Sequence, residues 1–160
     1  MASLAYMLRL DRLFPQNKIL GQYLLRYLPV DAACQVDAVS GCCLLARREV
    51  YADIGPLDND IFGFGEDLDW CVRASRGGWQ VWYDPSSEIV HLKGQGGVHS
   101  KPFRKVWAIH QAMWIFFRKH LAGQYSPPVR LLVWLGIRLS YLAGLGAVFV
   151  RRLRPASVHR

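Results

Sequence analysis

A chain of 160 residues is long enough to bury one core and too short for two domains of ordinary size. Its net charge of +8 is unevenly spread: all twelve Asp and Glu lie between Asp11 and Glu88, whereas residues 101–160 hold eleven Lys or Arg and no acid. The basic end is interleaved with long apolar runs rather than polar, flexible sequence, so the expected partner is an anionic membrane surface and not nucleic acid.

In chain order, "MASLAYMLRLDRLF" lacks a basic leader and meets Arg9, Asp11 and Arg12 too early for a signal peptide, which sets the expected location on the cytoplasmic side of the cell membrane. Residues 1–35, broken by Pro15 and Pro29, show no strong periodicity and are expected to be irregular. Cys34, Cys42, Cys43 and Cys71 form neither a C-x-x-C pair nor a dense disulfide pattern, as suits a reducing compartment. From Val36 the pattern predicts a strand through "CCLLA" and a short helix over "RREVYADIG", capped by Gly55. Leu68, Cys71, Val72 and Ala74 are at helical spacing, predicting a second helix from Asp67 that Gly77 and Gly78 end. "WQVWYDP" reads as a strand stopped by Pro85, and "SEIVHLKG" as another.

Beyond Pro102, residues 104–120 read as an amphipathic helix with Val106, Ile109, Met113, Phe116 and Phe117 near one face, closed by Pro127 and Pro128. Leu131 to Val150 has Arg138 as its one charge, followed at once by Arg151, Arg152 and Arg154. Its length suffices for a single span, although a central Arg costs about 2.5 to 3.5 kcal/mol on insertion scales. A buried helix, or one lying in the membrane interface, fits the same residues. Gly136, Ser140 and Gly144 fall four apart, a small-residue stripe that would admit a partner helix.

The densest chemistry lies in "IFGFGEDLDW", where Glu66, Asp67 and Asp69 follow two Phe-Gly pairs. Acids in a first helical turn are favoured by the helix dipole, and this alone accounts for a solvated cluster. The preceding glycines and aromatics suit a cleft instead, with close backbone approach and an aromatic wall. A calcium loop is a poorer fit: Asp58, Asp60, Gly63 and Asp69 match four of its positions, but Phe62 stands where an oxygen ligand belongs. Asp58-Asn59-Asp60 and Asp67-Leu68-Asp69 also match a D-x-D metal pattern, though neither follows an apolar strand.

Three blocks occur in order between Val36 and Gly96: Ser40, Gly41, Cys42, Arg47 and Arg48; then Gly55, Leu57, Asp58, Phe62, Glu66, Asp67, Asp69 and Arg73; then Gly78, Trp79, Val81, Tyr83, Pro85, Val90, His91 and Gly94. In identity and spacing this region resembles the C-terminal half of family 2 glycosyltransferase catalytic domains, in their rhamnosyltransferase-like branch. The resemblance implies an α/β chain with a partial GT-A-like fold, in which a short mixed sheet with helices is followed by amphipathic and apolar C-terminal helices. It implies two regions: residues 1–103 as the acceptor-side half of a catalytic domain, and 104–160 as a basic, apolar, membrane-associating tail.

By position, the resemblance makes Asp67 the general base in an inverting transfer from a nucleotide-sugar donor to a glycan or lipid-linked acceptor, in cell-surface polysaccharide synthesis. Glu66 orients the acceptor or tunes Asp67. Gly41, Cys42, Phe64, Gly65 and Trp70 are the candidate acceptor-binding residues, with core packing the other role open to Trp70. Asp69 and Arg73, four apart on the helix, suit an intrahelical ion pair. His91 matches a ligand to a divalent metal, Mg or Mn, on the sugar diphosphate, and Lys93, Gln95 and Ser100 lie in a glycine-rich loop suited to closing over it. Complete relatives begin with a nucleotide-binding half ending in an aspartate-rich metal motif, for which residues 1–35 offer no counterpart. The expectation is therefore a catalytic part that needs a separate N-terminal half. The competing expectation is a non-catalytic, membrane-associated remnant that binds a glycan or protein.

Overall fold

The computed structural model describes residues 14, 17–18, 25, 27–92 and 101–153. Their contacts divide into two units, one comprising residues up to 36 together with 81–89, the other 37–80 together with residues from 90 onward. Residues on both sides of the expected boundary at 103/104 thus share one packed unit.

In the first unit, β1 (Cys34–Gln35) pairs antiparallel with β2 (Trp82–Tyr83), Cys34 opposite Tyr83 and Gln35 opposite Trp82. The Val36 N–H donates to Val81 O at 3.0 Å, and the Tyr83 hydroxyl donates to Val30 O at 2.9 Å, tying the preceding loop to the ladder. The strand expected over "WQVWYDP" is therefore present but two residues long. Two other expected strands are not formed. "CCLLA" begins as a 3-10 turn, Gly41–Cys43, in which the Cys43 N–H bonds back to Ser40 O, and residues 87–92 of "SEIVHLKG" are irregular. Apolar, β-prone residues become a strand only where a neighbouring edge completes their hydrogen bonds, and no such edge lies beside either segment among the described residues.

The second unit is helical. α1 (Arg48–Ile54) ends as expected on Gly55, whose φ of 76° lets its N–H reach Tyr51 O. α2 (Glu66–Arg76) carries Glu66, Asp67 and Asp69 in its first turn and Arg73 and Arg76 in its last, complementing the helix dipole at both ends. Between them lies a small core of Val50, Trp70 and Ala74, flanked by Leu44, Ile54 and Trp79. Two indoles also bond across it: Trp70 Nε1–H to Gly55 O at 2.9 Å and Trp79 Nε1–H to the Asp53 carboxylate at 3.0 Å.

α3 (Pro102–Phe116) opens with Pro102, whose missing N–H costs nothing at a first helical position. Its buried face is only partly the one that the large apolar residues suggest. Ala108, Ala112 and, beyond the helix, Phe117 are buried, whereas Met113 is 48% exposed. Small side chains permit the closest approach, and a π turn at Phe117–Leu121 then advances the register so that both Phe117 and His120 point inward. A 3-10 turn, Ala122–Gln124, leads to α4 (Pro127–Leu153). Pro127 and Pro128 thus open the last helix instead of closing the one before it.

α4 is long and apolar enough to cross a membrane by length and composition, with a mean hydropathy of 1.7. Its small-residue stripe does receive a helix, and that helix is α3 of the same chain. A Cβ on Gly144 would sit 2.9 Å from Val106 Cγ1, His110 Nε2 lies 3.0 Å from Ser140 Oγ, and Gly136 faces open space. Gly144→Leu should therefore force α3 and α4 apart, lowering stability by about 1 to 3 kcal/mol in chemical unfolding. An unchanged unfolding midpoint would contradict this close approach.

Candidate functional site

The head of α2 is shaped by the two glycines of "FGFG". Gly63 and Gly65 adopt φ of 76° and 87°, backbone that a side chain would strain, and Gly65 stands directly before the first helical residue. This sharp entry presents Asp67 beside the Gly41–Cys43 turn. The Gly41 N–H donates to Asp67 Oδ2 at 2.7 Å, and the Leu68 N–H donates to Oδ1 at 2.8 Å. Each oxygen is held by one backbone donor and keeps a second lone pair for a further proton. A Cβ on Gly41 would come within 3.3 Å of the Asp67 Cβ, so the glycine is what lets the turn approach this carboxylate.

Asp69, two residues along in the same turn, has a different task. Its side chain is 1% exposed; Oδ2 accepts from Arg73 Nε at 2.8 Å and Oδ1 pairs with His120 Nε2 at 2.7 Å. Arg73 reaches on to the Ile54 and Pro56 carbonyls, fixing the end of α1 to α2. Arg76 places Nη1 2.9 Å from His120 Nδ1 and Nη2 3.0 Å from His120 O. A guanidinium can only donate, so Nδ1 is the acceptor and the ring proton on Nε2 goes to Asp69; the partners assign this tautomer. The expected Asp69–Arg73 pair is thus one side of a four-residue network. Its other side, His120, carries no motif and directly follows Arg118 and Lys119, so nothing in the sequence sets it apart.

Asp58 supplies a second link to the same turn. Its carboxylate meets the Lys119 ammonium and accepts the Asp60 N–H at 3.0 Å, with Asp60 itself 4.0 Å from Lys119. Lys119 foremost, and then the Asp60 N–H, hold the Asp58 carboxyl below its usual range against the opposing effect of burial. The Asp58 carboxylate is thereby committed to a cation and a turn. Because the folded pKa is depressed, the pair's stabilisation is complete above the ordinary carboxylate value of about 3.9 and disappears as pH falls through the lower folded value. The stability gap between the parent and Lys119→Met should accordingly be flat from neutral pH to about 5 and close below about 4 in urea titrations. A gap that persists at pH 2 would deny the pair its role.

Of the other expected site residues, Glu66 is half-buried beside Asp67, with Oε2 buried and lacking a hydrogen-bond partner among the described residues. Phe64 is half-buried, with Lys105 Nζ 5.9 Å from its ring centroid. Cys42 is exposed on the turn next to Gly41, and all four cysteines are free thiols. Cys71 is buried, which pushes its thiol up and keeps it unreactive. Trp70 lies in the core, bonded to Gly55, so it is a packing residue and offers no open stacking face here.

His91 is exposed in an irregular segment, while Lys93, Gln95 and Ser100 lie outside the described residues. Among the described residues no three His, Cys, Asp or Glu side chains gather closely enough to hold a metal ion. They do not make a metal site on their own. A cavity of about 150 Å³ between α3 and α4, lined by Trp107, Trp114, Trp134 and Arg138 among others, does not include Asp67.

A sequence model of the family described as "Glycosyltransferase like family 2" matches residues 7–125. Two curated relatives, both called N-acetylglucosaminyl-diphospho-decaprenol L-rhamnosyltransferase, come from Mycobacterium tuberculosis strains CDC 1551 / Oshkosh and ATCC 25618 / H37Rv. Each is 33% identical over 92 residues, covering 58% of this chain and 30% of its own length. The chain therefore spans under a third of the relatives that it matches. No solved structure matches it.

Proposed function

Since the chain belongs to the glycosyltransferase-like family 2, we propose that it forms the acceptor-side part of an inverting transferase, moving a sugar from a nucleotide-sugar donor to a hydroxyl of a lipid-linked glycan. The observation that carries this is the Asp67 carboxylate, fixed at the head of α2 by the Gly41 and Leu68 N–H groups with lone pairs to spare. In the proposed reaction the acceptor oxygen attacks the anomeric carbon as its proton passes to Asp67. The bond to the nucleoside diphosphate breaks with that electron pair, and the configuration inverts. Glu66 Oε2, which has no partner among the described residues, is suited to accept a second hydrogen bond from the acceptor, as a positioning contact.

Other parts of the reaction need groups beyond those described. A divalent metal on the diphosphate fits the family, but His91 would supply a single ligand, and no step here is routed through the ion. We therefore include a separate nucleotide-binding half in the proposal. The relatives' name suggests the substrates to try: an activated L-rhamnose as donor and an N-acetylglucosaminyl-diphospho-polyprenol as acceptor.

The test mixes the detergent-solubilised chain with a separately produced nucleotide-binding half of a family 2 relative and follows radiolabelled sugar into the organic phase. Labelled lipid that appears only with both parts present supports the proposal. Acceptor binding without turnover, across a panel of nucleotide sugars, would favour the non-catalytic glycan-binding alternative.

A further inference from the structure

We infer that α4 lies in the plane of an anionic bilayer surface, docked by its outer face, and does not cross the membrane. α4 has two faces of opposite fate. Trp134, Ile137, Tyr141 and Gly144 turn toward α3, whereas Leu132, Leu135, Leu139 and Leu142 recur at alternating three- and four-residue steps and Phe149 and Leu153 continue the line beyond Gly146, each of the six 41–68% exposed. That stripe contains no charge. Arg130, Arg138, Arg151 and Arg152 all fall off it, with Arg138 lying over the Trp134 ring and Arg152 over the Phe103 ring. An apolar face bordered by arginines and tryptophan is the pattern of a helix seated at the headgroup boundary.

The packing of α3 rules against a span. α4 runs antiparallel to α3, the two in contact from Trp114 beside Trp134 to Phe103 under Arg152. The α3 segment in that contact, residues 103–114, rises about 17 Å, more than half of the hydrocarbon thickness of about 30 Å. On the other side, α3 and the π turn after it are held to a polar unit made of α2 and the loop before it: Ala112 against Gly65, Arg104 over Phe62, Lys119 on Asp58, and His120 on Asp69. A crossing α4 would pull that polar unit into hydrocarbon alongside it. In-plane docking leaves the unit in water and wets only the leucine stripe with lipid. It also explains how Arg138 is tolerated, since at the boundary its guanidinium reaches headgroup phosphates.

The occupant is a bilayer and not a second copy of the chain. Residues 101–153 contain no acid, so a symmetric partner would bring arginines against arginines. Anionic headgroups complement the same charges.

The inference goes beyond the proposed transfer reaction and is tested without any sugar substrate, so either can fail alone. The full chain, with a different epitope at each end, is incorporated into sealed vesicles of phosphatidylcholine with or without phosphatidylglycerol and treated with external protease. In-plane docking predicts that both epitopes are digested, that the chain floats with the vesicles, and that flotation weakens without phosphatidylglycerol. Protection of one epitope would mean a span, and equal flotation on both vesicle types would remove the charge complementarity; either overturns the inference. The combined variant Leu135→Glu, Leu139→Glu, Leu142→Glu should lose flotation while keeping the near-ultraviolet circular dichroism of the parent. Retained flotation, or a parent chain that is a stable dimer and ignores vesicles, would also overturn it.

Discussion

Asp67→Asn should abolish sugar transfer, by a factor of about 10² to 10⁴, in the reconstituted reaction of chain and nucleotide-binding half. The size follows from what is removed. An amide cannot take the acceptor proton, while its shape still fits the pocket between the turn and the helix start. One local cost is visible: Gly41 and Leu68 each donate to a different oxygen of Asp67, so the amide NH₂ must oppose one of these N–H groups. The variant needs its thermal midpoint measured beside its rate, and donor binding should change little. Glu66→Gln is the companion experiment. If Glu66 only positions the acceptor, its amide should raise KM for acceptor more than it lowers kcat, because an amide oxygen still accepts a hydrogen bond. Turnover by Asp67→Asn within threefold of the parent would take the base role away from Asp67.

The parts of this fold that were legible from sequence are those specified locally. α1 and α2 announce themselves through Gly55, Gly77 and the distribution of acids and bases along each helix, signals that act within a turn or two of the residue carrying them. Strands were the weak point for the opposite reason. "CCLLA" and "SEIVHLKG" have strand-like composition, but a ladder needs a partner that composition does not name. Pro127 and Pro128 were ambiguous in a similar way, because proline both stops one helix and starts the next.

The site divides along the same line. Asp67 and Gly41 were each visible as motif residues, yet their contact across 26 positions is a product of folding. His120 was invisible. Its link to Asp69 spans 51 positions and depends on a π turn that moves it to the buried side, an irregularity that simple helical periodicity cannot register. The structural consequence is that α2, whose first turn holds Glu66 and Asp67, is anchored from the segment that leads to α4.

His120→Ala should accordingly be among the more damaging single changes, lowering stability by about 1.5 to 3 kcal/mol in urea unfolding followed by tryptophan fluorescence. Asp69 would remain almost fully buried with only Arg73 to balance it, the Arg76 guanidinium would lose its ring-nitrogen partner, and the contact of the imidazole with Phe116, 4.7 Å between centroids, would vanish. The carboxylate left without its second hydrogen bond dominates, since a lost bond to a buried charge costs more than the contact area of a small ring. Asp69→Asn isolates that component: it keeps the volume, weakens both bonds, and should destabilise less than His120→Ala if packing matters, or equally if the charge is everything. The double variant Asp69→Asn, His120→Ala should then lose well under the sum of the two single effects, because each removes what the other was satisfying. Strict additivity, or a loss below about 1 kcal/mol for His120→Ala, would show that the buried network is not what holds α2 in place.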